Sequence, residues 1–309
     1  MASSPYDGPV IDSHHHLWDL DMGRHPWLQG RTPDGANRAE IDPLERSFLV
    51  EDYLAAAQGQ GIEATIHIEA SWDPGTRAEE TQWLDTLERS VVARWHVFGL
   101  DLSAPDAADA FAREAAHPRA VGLRDIVSWH PDPRKSFVAK EGRMSDPAWR
   151  AGLDCLRGTG IVFEILMAPW QMREAYELAS DYPDIQFVIN HCGSPMDRSE
   201  EGLALWRMGL QLLGRAQNVA LKVSNPFAYD HDWTVDSLRP IVDHCLGCFG
   251  HDRVLFGTDF PVAGRQASYG GMMDAFRTLT ADLPADDQRK YFYDNARRIY
   301  RLDEERANG

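Results

Sequence analysis

The sequence predicts an α/β protein. It reads as one (β/α)8 barrel of the TIM type, a single domain over residues 1–309 with long loops at the C-terminal face of its strands. Three observations lead there. Short runs rich in β-branched residues recur eight times along the chain. Longer amphipathic stretches separate them, which calls for parallel crossovers. The length of 309 residues, with 43% hydrophobic and 26% charged, suits one large core. A doubly wound open sheet is the competing architecture, but no G-x-G-x-x-G follows the first strand.

The strand candidates, in order, are VIDSHHHLW (10–18), EATIHIEA (63–70), WHVFGLDL (95–102), AVGLRDIV (120–127), IVFEILM (161–167), IQFVINHC (185–192), VALKVSN (219–225) and VLFGTDF (254–260). Helix candidates lie between them at 50–61, 76–90, 105–116, 146–160, 170–183, 202–216 and 233–250. Several end in Gly, the residue that most easily leaves a helix. Two long connections, 19–43 and 128–146, follow the first and fourth strands. In a barrel such loops cover the face where chemistry sits. No linker rich in Pro, Gly or Ser divides the chain, and no repeat is visible.

Charge and composition narrow the function. The net charge of −17 argues against nucleic acid and anionic membranes as partners. No apolar run approaches the ~18–20 residues of a membrane span. The first ten residues lack the basic start and apolar stretch of a signal peptide, so a cytoplasmic protein acting on a small molecule is expected, with homo-oligomerisation open. The pair Cys245 and Cys248 has C-x-x-C spacing, but no second pair exists and the motif falls in a helix end. Reduced, packed thiols are expected.

A parallel barrel strand should be apolar on both faces, so polar residues at its C-terminal end need a reason. His14 and His16 share one face of the first strand and His15 takes the other. His67 and Glu69 follow on the second strand, then Arg124, Glu164, His191, Lys222 with Ser224, and Asp259. Histidines and a carboxylate can hold a divalent metal and activate its water. They can also work without metal, the imidazoles polarising a carbonyl while the aspartate deprotonates water. Arg124 and Lys222 are the cations best placed to grip a carboxylate or oxyanion. Structural alternatives are ion pairs of Arg124 with Asp125 and of Lys222 with Glu164. Trp18, Trp27, Trp72, Trp129, Trp170 and Phe260 gather near these loops, as walls for a cyclic substrate or as rim packing.

VIDSHHHLW, FVINHCGSP and RVLFGTDFPV resemble three signatures of the amidohydrolase superfamily, of the amidohydrolase 2 type. Within it they resemble the lactone hydrolases, a branch that includes 2-pyrone-4,6-dicarboxylate lactonase and sugar lactonases. GLRDIV, NVALKVSNPF and DNARRIYRL extend the likeness through nearly the whole chain. The resemblance implies a barrel in which His14, His16 and His191 surround Asp259, the residue that acts on water. Arg124 then anchors substrate, with Lys222 and Trp18 as further substrate contacts. One departure matters: the fifth strand carries Glu164 where many metal-using members have a histidine. A binuclear centre is therefore not expected. The cofactor is either none, the reading taken first, or one divalent ion (zinc or manganese) held by His14, His16 and Asp259, with His191 or Glu164 as a further ligand. The implied activity is hydrolysis of a small lactone bearing a carboxylate or hydroxyls. The alternative is a metal-dependent nonoxidative decarboxylase. An intact Asp259 beside three aligned histidines argues against a non-catalytic binding barrel.

Overall fold

A computed structural model describes residues 4–29 and 44–303; the later part of the first long connection lies outside the described residues. Eight strands form one sheet: β1 (Val10–His15), β2 (Ile62–Ile68), β3 (Trp95–Gly99), β4 (Ala120–Arg124), β5 (Val162–Ile165), β6 (Phe187–Ile189), β7 (Val219–Ser224) and β8 (Val254–Gly257). Each pairs in parallel with the next, in sequence order. The first and last strands meet at their C-terminal ends. His16 N donates to Phe260 O at 2.9 Å and Asp259 N donates to His14 O at 2.7 Å. The predicted barrel is the observed one.

The main outer helices are α1 (Val50–Ala56), α2 (Ala78–Leu84), α3 (Ala107–Ala115), α4 (Pro147–Leu153), α5 (Met172–Asp181), α6 (Glu200–Leu213), α7 (Val235–Phe249) and α8 (Tyr269–Thr280). Local chemistry starts several of them. Asp146 accepts from the N–H groups of Ala148 and Trp149, Ser199 from Gly202 and Ser268 from Gly271. Both residues of the C-x-x-C pair lie on α7, and all four cysteines are free thiols.

The strands are apolar on both faces, and each face has its own core. Ile11, Ile66, Val97, Val162, Val188, Ala220 and Leu255 belong to one buried cluster that draws on every strand. Ala296, Ile299 and Tyr300 of the C-terminal segment join it and close the barrel from below. Phe98, Leu123, Phe163, Ile189, Leu221 and Phe256 belong to the second cluster, shared with the helices. The observed strands are shorter than the apolar runs suggest. Their last residues leave the hydrogen-bond ladder where the site begins. In β1 the pairing with β2 is irregular between Asp12 and His15, a bulge of the kind that re-aims side chains beside active sites.

Two buried histidines outside the barrel mouth make the fold sensitive to acid. His25 has no exposed surface, neither ring nitrogen has a hydrogen bond, and burial lowers its pKa to about 4. Burial also holds His67 well below 6.5. Between pH 6.5 and about 4 the unfolded chain binds protons at these sites that the folded chain does not, so stability falls as the pH drops through this window. For His25 the loss integrates to about 3 kcal/mol. Urea unfolding at pH 7 and pH 5 should show a clear drop, and His25→Gln should flatten it. An unchanged slope would mean that His25 is protonated in the folded state.

Candidate active site

Four polar side chains converge at the C-terminal mouth of the barrel. His14 and His16 come from the end of β1, His191 from the turn after β6, and Asp259 from the residues after β8. Asp259 Oδ1 is the hub: it lies 3.0 Å from His16 Nε2, 3.3 Å from His14 Nε2 and 3.9 Å from His191 Nε2. The rings of His14 and His191 stand 4.6 Å apart. All four residues are buried. His15, between the two site histidines, points away and meets Thr65 Oγ1 at 2.7 Å.

The backbone is strained where it delivers these groups. His191, Cys192, Gly193 and Ser194 have φ of 49°, 55°, 68° and 55°, a run of left-handed residues of which one is glycine. Asp259 has φ of 61° and the adjacent Asn225 has 42°. Such conformations each cost of order 1–3 kcal/mol for non-glycine residues and cluster at functional sites. The payoff here is geometric, because a strand continuing straight on would carry His191 and Asp259 past one another.

Electrostatics assigns roles. Burial alone would raise the Asp259 pKa, but the facing imidazoles of His191, His14 and His16 outweigh it and hold the carboxyl well below its usual range. Burial, aided by the Lys222 ammonium, keeps His14 neutral. Burial lowers His191 to about 4 against the pull of Asp259. His16 Nδ1 faces the Ile68 carbonyl at 2.7 Å. A carbonyl only accepts, so Nδ1 carries a proton, and Nε2 is the ring nitrogen turned to Asp259 Oδ1 at 3.0 Å. His14 Nε2 is buried without a hydrogen bond. Two imidazole nitrogens and one carboxylate oxygen thus face a common point.

A divalent ion fits that donor set. The ligand atoms of His14, His16 and Asp259 all lie within 4.8 Å of one another. Their spacings of 3.0 and 3.3 Å from Asp259 Oδ1 match the separation of about 3.3 Å expected for tetrahedral ligands at ~2.0–2.1 Å from zinc. The N–H of His16 on a backbone carbonyl is the support that metal-bound imidazoles commonly have. Glu164 does not join this group. Both its oxygens are taken by Lys222 Nζ at 2.7 and 2.9 Å, with Asn190 Nδ2 at 2.7 Å and Tyr300 Oη at 2.5 Å.

The remaining candidates are scattered around the mouth. Arg124 is bound to Glu69, not Asp125: its Nε donates to Oε1 at 2.6 Å and its Nη2 to the Glu69 carbonyl at 2.6 Å. His67 has the same parity as Glu69 but faces the helices, where it meets Glu80 at 3.0 Å. Lys222 has no exposed surface; besides Glu164 it holds the Ser13 carbonyl at 2.7 Å. Trp18 is also fully buried, with its indole N–H on Arg46 O. It lines a small cavity of about 90 Å³ with Phe48 and Phe260. A larger cavity of about 510 Å³ is lined by Glu69, Arg124, Trp27, Trp72, Arg77 and Arg143 among others, and by none of the four clustered residues. Its size is that of a small-molecule site.

Three residues of the site were not singled out from the sequence. Asn225 donates to Asp259 Oδ2 at 2.7 Å and fixes the carboxylate. Asp12 binds Thr258, and Tyr300 reaches Glu164 from the C-terminal segment. Asn225 precedes Pro226 at the end of an apolar run, and that placement was its available signal. Ser224, noted at the same strand end, orients His191: its Oγ lies 2.9 Å from Nδ1 and accepts the His191 N–H at 3.2 Å.

Barrel and polar centre together define an enzyme of the (β/α)8 class with its chemistry at the strands' C-terminal mouth. The chain belongs to the amidohydrolase family, whose model, described as Amidohydrolase, matches residues 11–302. It is 32% identical over 299 residues to the uncharacterized protein y4mH of Sinorhizobium fredii, covering 96% of this chain and 99% of the relative. It is 26% identical over 311 residues to L-fucono-1,5-lactonase of Burkholderia multivorans, covering 95% and 96%. A crystal structure of a Burkholderia multivorans amidohydrolase with bound zinc superposes with a TM-score of 0.79 at 24% identity, covering 95% of this chain and 99% of that one.

The donor set limits the metal content. Protein loaded with zinc or manganese and then desalted should carry at most one equivalent per chain by elemental analysis, because Glu164 is occupied by Lys222. Two tightly held equivalents would overturn this account.

Proposed function

We propose that this protein is a lactonase: it opens the cyclic ester of a small lactone by hydrolysis, using one divalent ion at the His14–His16–Asp259 group. The observation that carries the reading is a single buried carboxylate ringed by three imidazoles at the C-terminal ends of the strands; a cavity of about 510 Å³ is lined by the strand-end residues Glu69 and Arg124. The likeness to an L-fucono-1,5-lactonase over nearly the full chain supports the reaction class.

The chain's own groups divide the work. Asp259 accepts the proton of water as the water attacks the lactone carbonyl, and Asn225 holds the other carboxylate oxygen still. Because Ser224 Oγ accepts the His191 backbone N–H, its own proton is free for Nδ1 of that ring. The ring proton then sits on Nε2, aimed at the oxyanion as it forms. When the tetrahedral intermediate collapses, the bond from carbon to ring oxygen breaks. Asp259 returns its proton to that oxygen, and the product is a hydroxy acid. A divalent ion held by His14, His16 and Asp259 would polarise the carbonyl and lower the pKa of bound water. Arg124 has Nε and Nη2 fixed by Glu69 and its Nη1 unbonded among the described residues, so it offers a rigid N–H to a substrate oxygen. Lys222 acts from beneath, where its charge adds to the burial that keeps His14 neutral, and Trp18 shapes the rim.

Asp259→Asn keeps the shape of the group but cannot take a proton. Against the best substrate of a lactone panel it should lose about 10²–10⁴ in kcat with KM little changed, the usual worth of a positioned base. Retention of more than a tenth of wild-type kcat, with chemistry rate-limiting, would rule out this mechanism. Carbon dioxide release from a carboxylated aromatic, without turnover of any lactone, would assign the site to decarboxylation instead.

A further inference from the structure

Three guanidinium groups line the large cavity, and two of them are already compensated. Arg124 is clamped by Glu69. Arg143 donates to Asp101 at 2.9 Å and to Asp125 at 2.8 Å. Arg77 differs. It is half-buried, and its guanidinium makes no hydrogen bond or ion pair among the described residues; its backbone carbonyl accepts the Glu80 N–H at 3.1 Å. Its charge is felt by Asp125 but forms no bond with it.

The acids around it are engaged with other groups. Glu69 takes Arg124 and the Ser71 N–H, the latter at 2.9 Å. Asp125 takes Arg143 and the Trp149 indole N–H at 2.8 Å. Asp101 takes Arg143 and the Ser103 N–H on Oδ1, and none of these three carboxylates bonds to Arg77. A guanidinium partly withdrawn from water with no protein anion is set up to take one from a ligand, in a planar two-pronged geometry. The neighbouring wall is apolar. Trp27 and Trp72 line the same cavity, and their N–H groups are spent on Ala70 O at 2.9 Å and Thr76 Oγ1 at 3.2 Å. Only their carbon surfaces remain for a ligand.

We infer that Arg77 is the anion-binding residue of the substrate pocket, and that the substrate carries a carboxylate on an apolar or flat body. This rests on the lactonase reading for the identity of the reaction, but the anion subsite stands on the cavity alone. Arg124 then serves as a neutralised, rigid hydrogen-bond donor close to the chemistry, and Arg77 sets the preference for charge.

The test has two arms. In the first, kcat/KM is measured for wild type, Arg77→Gln and Arg77→Lys on γ-butyrolactone and on 5-oxotetrahydrofuran-2-carboxylate. The Gln variant should lose ten- to hundredfold more on the carboxylate-bearing lactone than on the neutral one, mainly in KM, and Lys should restore part of the difference. Equal losses on both, or no loss, overturn the assignment. In the second arm, binding of 2-furoate and of its neutral amide is measured by calorimetry with the same proteins. Wild type should prefer the carboxylate, and Arg77→Gln should erase the preference. Absence of that preference in wild type overturns the anion subsite. If furoate binding follows Arg77 while neither lactone is hydrolysed, the subsite stands and the lactonase reading fails.

Discussion

Asp12 accepts from Thr258 N and Oγ1 at 2.9 and 2.6 Å, from Tyr53 Oη at 2.8 Å, and from the His14 N–H at 3.2 Å. These bonds tie the first strand to the last, the seam on which the site depends. A barrel of eight strands can be built pair by pair, but its final closure has no chain connection to guide it. Here the closing strands bring the two halves of the centre, His14 and His16 on one side and Asp259 on the other. Gly257 permits the approach, since a Cβ there would lie 2.8 Å from that of His14. The carboxylate of Asp12 is fully buried, which raises its pKa against the pull of its donors. Its free energy cost is offset only while all these partners stay in place.

Beneath the centre runs a second polar system. Lys222 bridges β7 to the Glu164 side chain of β5 and to the Ser13 carbonyl of β1. Asn190 joins from the end of β6 and Tyr300 from the C-terminal plug. Burial lowers the Lys222 pKa to about 8, with Glu164 acting in the opposite sense. A buried ion pair of this kind is weak evidence for stability, since desolvation takes back most of the attraction. Its value lies in direction. It fixes the Ser13 carbonyl one residue ahead of His14 and places a cation under that ring, so the floor of the site is set by groups that touch no substrate.

Much of the fold could be read from residue order alone. β-branched runs alternating with amphipathic segments have few other solutions at this length, and the eight strands are where those runs lie. The polar residues ending the strands were legible for the same reason, because a buried parallel strand has no other use for them. His14, His16, His191 and Asp259 do meet in space. Pairings across the barrel were less legible. Arg124 chose Glu69 over the adjacent Asp125 because Glu69, just past β2, lies over Gly99 of the intervening β3, where no side chain blocks its reach to β4, while Asp125 turns toward Arg143 and Trp149. His67 and Glu69 share parity, yet only Glu69 reaches the mouth, since it lies past the last residue of β2. Such facts depend on where a strand ends, and apolar periodicity places strand ends poorly.

The charge of the centre explains why its parts are held so tightly. His14 and His191 are neutral at ordinary pH, and Asp259 remains ionised. The Asp259 carboxylate therefore carries its negative charge in a buried place, ringed by nitrogens of His14, His16 and His191. No Lys or Arg side chain bonds to it among the described residues. A bound cation would compensate the charge that remains, and the left-handed turns at His191 and Asp259 hold the donors together. The affinity for positive charge is thus stored in the folded backbone. That is also what a water molecule attacking a carbonyl requires, because the proton it sheds is the positive charge the site is short of.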